Sequence, residues 1–92
     1  MTNGKTLVWR EGTDPIFGRA FTLEGLTGKD ESGGARRNPS GGFVAMAFIK
    51  GRYLSHNGKT IFKAMDRLNS EICKLSISLF GVDDLEFQII RK

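Results

Sequence analysis

IFKAMDRLNSEICKLSISL, residues 61–79, has the periodicity that decides what the rest of the chain must do. Its apolar residues Ile61, Met65, Leu68, Ile72, Leu75 and Leu79 recur at spacings of 4, 3, 4, 3 and 4. That interval returns side chains to one face of a helix turning about 100° per residue. The period changes from Asn57 onward, and Gly81 is placed to close the helix in the left-handed conformation that glycine adopts without a steric penalty. One long helix is therefore predicted. Burying the six stripe residues at roughly 1.5 to 3 kcal/mol each has an upper bound of order 10 kcal/mol, as much as the net stability of a small domain. A helix with that much apolar surface has to lie against a sheet.

The strands that supply the sheet flank it. Phe43-Val44-Ala45-Met46-Ala47-Phe48-Ile49 is apolar at every position, which suits a central strand covered on both faces. Lys50-Gly51 then turns the chain into a short strand, Arg52-Tyr53-Leu54. Nearer the start, Thr6-Leu7-Val8-Trp9-Arg10 is β-branched and aromatic and is closed by Gly12 and Asp14-Pro15. Residues 16–23 alternate, with Phe17, Phe21 and Leu23 on one side and Arg19 as the exception, and form a hairpin partner for the first strand. Leu85, Phe87 and Ile89 alternate in the last strand. The expected fold class is α+β: an antiparallel sheet of four to five strands with one long α-helix packed on one face. A rival reading takes Asn57-Gly58 as a type I′ hairpin turn between Tyr53-Leu54 and Thr60-Ile61-Phe62, which would delay the helix start.

Ninety-two residues make a single domain, 1–92, because so short a chain cannot divide its buried surface between two cores. Within it, residues 24–42 hold six Gly, one Pro and no aromatic, and are predicted to form a Gly-rich basic loop. A structureless loop of that length in a compact domain is usually functional or disordered. Hydrophobic residues at 39% and charged residues at 26% are ordinary for a globular protein. No apolar run approaches the roughly 18 residues of a membrane span, and Met1-Thr2-Asn3-Gly4-Lys5 lacks a signal-peptide core. With Cys73 the lone cysteine, and Pro39 disqualifying the one glycosylation-like triplet, a reducing cytoplasm is the expected location.

Catalytic constellations fail one by one. Asn57-Gly58-Lys59-Thr60 ends like a phosphate-binding loop, but the glycine that must precede it by five positions is Tyr53. His56 and Cys73, read as seventeen residues apart along one helix, would lie roughly 25 Å apart, beyond any hydrogen bond. His56 is expected at the helix start and Cys73 on a helix flank as a small hydrophobe. Two potential ligands do not make a zinc site. Asp83-Asp84 sits where a tight connection favours Asp for turn geometry. No catalytic residue, cofactor or metal is expected, and a binding protein is favoured over an enzyme.

Charge distribution is more informative than the net +4. No acid lies between Glu31 and Asp66, while Arg36, Arg37, Lys50, Arg52, Lys59 and Lys63 all do. Such an interval points to an anionic partner. On a helical wheel with Lys59 at zero, Lys63, Lys74 and Arg67 fall at about 40°, 60° and 80°, opposite an apolar stripe at about 160–240°. Arg36-Arg37 offers planar forks for bidentate phosphate contacts and base stacking. Tyr53 and Phe62 are possible stacking platforms, though Phe62 fits a core role equally well. The partner-binding set is thus Arg36, Arg37, Lys50, Arg52, Lys59, Lys63 and Arg67, with the arginine pair and the helix's cationic ridge expected on one side of the molecule.

In overall character the chain resembles the small phage-encoded anti-CRISPR proteins, particularly those acting on type I-F surveillance complexes. The segments carrying the resemblance are KTLVWREGTDPIFGRAF, GGARRNPSGGF and GRYLSHNGKTIFKAMDRL. It implies a non-enzymatic inhibitor in the host cytoplasm that binds a CRISPR effector ribonucleoprotein, touching its Cas backbone subunits and the guide RNA, and keeps target DNA from pairing. Many such inhibitors are acidic mimics of DNA. This chain is basic, so a clamp on guide RNA or on an acidic protein surface is the more natural expectation. A stand-alone RNA or single-stranded DNA binder using the same residues is the alternative.

Overall fold

The computed structural model describes residues 4–92. Eight elements follow in order: β1 (Gly4–Asp14), β2 (Gly18–Glu24), β3 (Ser32–Arg37), β4 (Phe43–Ile49), β5 (Arg52–Gly58), α1 (Ile61–Lys74), α2 (Ser76–Phe80) and β6 (Asp84–Ile90). They form an α+β fold with one six-stranded sheet ordered β5-β4-β3-β2-β1-β6. Every neighbouring pair is antiparallel except β1 and β6, which run parallel. The helical crossover from β5 to β6 returns the chain across the whole sheet, and that long route permits the parallel pairing.

Each hairpin has its own local device. The carboxylate of Asp14 accepts hydrogen bonds from the N–H groups of Ile16 and Phe17 at 2.7 and 2.9 Å, an Asx turn that folds β1 onto β2. Lys50 and Gly51 have φ of 51° and 76°, so β4 and β5 join through a two-residue turn whose twist matches the strands. Thr60 caps α1, its hydroxyl accepting from the Lys63 N–H at 3.1 Å.

The core lies between the sheet and α1. Leu7, Trp9, Phe21, Leu23, Ala35, Ala45, Ala47, Ile49 and Leu54 meet Ile61, Ala64, Met65, Leu68, Ile72 and Leu79. Three alanines beneath the helix let it approach the strands closely. Trp9 is fully buried, and its indole N–H donates to Asn69 Oδ1 at 2.8 Å. At the β5–α1 corner a Cβ on Gly58 would stand 2.5 Å from the Ala64 backbone nitrogen, so only glycine lets the strand end pass beneath the helix.

Several expectations are corrected. The sheet has six strands rather than four to five and is mixed rather than antiparallel. The segment expected to be a structureless loop over 24–42 contains β3, which pairs with both β2 and β4. Its glycines hid it by lowering β propensity. Packing around them is tight: a Cβ at Gly33 would stand 3.0 Å from the Leu23 side chain, and one at Gly34 3.0 Å from the Phe21 carbonyl, so each neighbour would have to give by a few tenths of an ångström. The single long helix is two pieces. Leu75 leaves helical geometry (φ −104°, ψ 13°) while its N–H is shared between the Glu71 and Ile72 carbonyls, and α2 then carries Leu79 into the core. Asn57-Gly58 neither begins the helix nor turns a hairpin but ends β5. Finally, β4 is covered on one face only: Ala45, Ala47 and Ile49 are buried, whereas Phe48 remains 39% exposed.

Candidate nucleic-acid interface

Strand alternation separates Arg36 from Arg37. Successive side chains in β3 point to opposite faces, so Arg37 joins the helix side of the sheet and Arg36 the uncovered side. The expectation that both share a side with the helix's cations is therefore corrected. Arg37 converges with residues that the sequence scatters widely. It lines a hollow of about 460 Å³ with Arg19, Phe17, Phe43, Thr60, Ile61 and Phe62, and an adjoining one with Lys59 and Phe43. The first turn of α1, which contributes to the wall, has no acidic residue.

Two further cations belong here. The Arg19 guanidinium sits 4.8 Å from the Phe62 ring centroid and 5.7 Å from that of Phe21, and its Nε pairs with Glu11 at 3.2 Å. Arg91 lies 4.7 Å from the Phe62 centroid. Phe62 is thus engaged by two guanidiniums and, edge-on, by Phe21 at 5.5 Å. It anchors charge rather than offering a free stacking face. Sequence reasoning missed both arginines as site residues. Arg19 left a trace, a charge at an inward position of an alternating strand, whereas nothing local marks Arg91. Lys63, exposed on the first turn of α1, extends the same positive end. The ion pairs among the described residues involve Arg10, Arg19 and His56, but not Arg37, Lys59, Lys63 or Arg91.

The remaining predicted residues lie elsewhere. Lys50 and Arg52 sit at the other end of the β4–β5 hairpin, about 20 Å away along seven residues of strand. The Lys50 N–H donates to the Glu31 carboxylate at 3.2 Å, so an acid is close by. Arg67 donates to the Asn57 carbonyl at 3.2 Å, tying α1 to β5. The seven predicted cations do not form one surface. Arg37 and Lys59 share a hollow, and Lys63 lines a separate one with Phe62, Asp66 and Ile89.

The chain matches no family model, no curated protein and no solved structure.

On the uncovered face, a hollow of about 390 Å³ is lined by Asp14, Gly34, Arg36, Met46, Phe48 and Tyr53, among others. The Arg36 guanidinium stacks 4.4 Å from the Phe17 ring centroid, and its buried Nε has no hydrogen-bond partner among the described residues. The Phe17 and Ile16 N–H groups hold the Asp14 carboxyl below its ordinary value, with a smaller contribution from Arg36, so it stays ionised. Phe48 and Tyr53 are register partners across β4 and β5, and Tyr53 is 63% exposed.

The groups with potential for chemistry are dispersed. His56 lies in β5 rather than at a helix start, so the 25 Å separation argued along one helix no longer applies. Its Nε2 meets Glu71 Oε1 at 2.5 Å. Cys73 is exposed on α1, and partial desolvation pushes its thiol pKa up, away from the reactive thiolate. No three His, Cys, Asp or Glu side chains converge among the described residues.

Proposed function

We propose that this protein is a non-enzymatic inhibitor that docks on an RNA-guided CRISPR surveillance complex in the host cytoplasm and blocks pairing with target DNA. Its positive end, formed by Arg37, Lys59, Lys63 and Arg91 around the start of α1, rests on guide-RNA phosphates and on neighbouring Cas subunits. One observation carries the reading: Arg37 of β3 and Lys59 of the β5–α1 connection line adjoining hollows, Arg91 lies over the Phe62 ring that walls the first of them, and Lys63 flanks the same Phe62, all outside the ion pairs among the described residues. Surface cations with partners of their own add little to binding. Cations left free beside a hollow can neutralise phosphates and release counterions. No reaction is required of them, since occupying the guide is enough to exclude its complement.

The test is a gel-shift assay of target DNA on a purified type I-F surveillance complex. Wild-type protein should abolish the shifted band, and the double variant Arg37→Glu, Lys59→Glu should restore it. Arg52→Gln, which removes a charge at the far end, should inhibit as wild type does. Normal target binding in the presence of saturating protein would refute the proposal, as would full inhibition by the double variant. The exposed aromatic pair on the uncovered face favours a second reading, a stand-alone binder of RNA or single-stranded DNA. That protein would hold a free oligonucleotide as tightly as it holds the assembled complex.

A further inference from the structure

We infer that the hollow on the uncovered face of the sheet receives an unpaired nucleobase, stacked against Tyr53 and Phe48. This inference rests on the proposed docking to a nucleic acid and specifies what part of it enters the second surface.

The helices cover only one side of the sheet, so Phe48 and Tyr53 remain 39% and 63% exposed although the chain buries aromatics as large as Trp9 completely. The two rings are direct cross-strand partners, which places their Cβ atoms about 5 Å apart on one surface. Between them and Arg36 the floor falls away at Gly34, which has no side chain, and Met46 supplies a polarisable flank. The volume, about 390 Å³, lies in the range of small-molecule sites.

Charge then narrows the occupant. The ionised Asp14 carboxylate and the Arg36 guanidinium, whose Nε has no partner among the described residues, both line the hollow. Together they offer an acceptor and a donor, which the edge of a neutral base matches. Arg36 lies at the other end of the hollow from the aromatic pair and is adjacent in sequence to Arg37 on the opposite face. Phe48 and Tyr53 are paired four strand residues beyond Val44, the partner of Arg36, about 13 Å further along the sheet, so the base that reaches them belongs to a later nucleotide of a strand whose phosphates are held near Arg37. Stacking on exposed aromatics is sequence-tolerant and needs an unpaired base. A base lodged in the hollow is withdrawn from pairing, which would reinforce the block on target recognition.

The experiment compares three labelled probes by fluorescence anisotropy: a single-stranded oligouridine, an abasic ribose-phosphate strand of the same length, and a duplex. Wild type should bind the oligouridine best. Tyr53→Ala, at an exposed position with little role in folding, should weaken the oligouridine roughly 5- to 150-fold and leave the abasic strand unchanged. Arg37→Glu should weaken both. Equal effects of Tyr53→Ala on the two single strands, or no effect on either, would overturn this inference alone. Failure of wild type to bind any probe would overturn this inference, whereas the docking proposal stands or falls separately on the gel shift with the assembled complex. A concentration-dependent dimer in sedimentation that Tyr53→Ala dissolves would assign the hollow to a second copy of the chain and overturn it too.

Discussion

Arg37→Gln paired with Arg52→Gln offers the sharpest test of whether charge converges at the α1 end. Each substitution removes one positive charge, so the net charge falls equally. The structure makes them unequal. Arg37 shares hollows with Arg19 and Lys59, whereas Arg52 starts β5, about 20 Å from that cluster. If Arg37, Lys59, Lys63 and Arg91 each neutralise one phosphate of a single strand, log K should fall with log salt at a slope of about −2.8, since each phosphate contributes about −0.7. Raising salt from ~50 to ~200 mM should then weaken wild-type binding about 50-fold. Arg37→Gln should reduce the slope to about −2.1, a loss of nearly 20-fold over the same range. Arg52→Gln should keep the wild-type slope. Anisotropy titrations of a labelled single-stranded RNA at four or five salt concentrations would measure all three. Equal changes for the two variants would mean that the chain attracts RNA through its overall charge, and the idea of a localised interface would be lost.

Three further outcomes concern the scaffold that sets out these surfaces. Asn69→Ala strips the partner from the buried Trp9 indole N–H and should cost about 1–3 kcal/mol in urea unfolding followed by far-UV circular dichroism; in a Trp9→Phe background, read by the same signal because that variant has no tryptophan, the change should cost much less. Gly58→Ala would drive a methyl group to 2.5 Å from the Ala64 nitrogen, costing about 1–3 kcal/mol and lowering Tm by about 4–8 °C per kcal/mol in a thermal melt. Because folding lowers the Asp14 carboxyl below its ordinary value of 3.8, its contribution to stability is present above that value and is lost as the pH falls through the folded-state one. Asp14→Asn keeps an acceptor for the turn but removes the titration, so the variant should lose less stability than wild type between about pH 6 and about pH 2.5, measured by urea unfolding.

The basic site was half visible before the fold was known. Lys59 and Lys63 lie four residues apart at the head of a strongly periodic segment, and Arg37 stood out within an acid-free interval. Arg36 was grouped with Arg37 because they are neighbours in sequence, and neighbours in a loop can act together. In a strand they cannot, since alternate side chains leave the sheet on opposite sides. The acid-free interval takes in Lys50 and Arg52 as well, yet they flank the β4–β5 turn while Lys59 follows the far end of β5. Arg91 became a member through the parallel pairing of β6 with β1, which carries the C-terminal segment to the positive end.

Sequence alone was enough for the features that depend on near neighbours: a helix from residues three and four apart, strands from alternating ones, the Lys50-Gly51 turn, and an α+β class. Tertiary structure decided the rest. Ser32–Arg37 becomes a strand because β2 and β4 supply hydrogen bonds on both sides, with little space around Gly33 and Gly34. Leu75 breaks the helix although the apolar spacing runs through it. The free face of the sheet follows from having just enough helix to cover one side, so an all-apolar β4 still shows Phe48 to solvent. Periodicity says which residues of an element share a face. Which faces are brought together, and which charges end up side by side, depends on contacts between segments far apart in the chain.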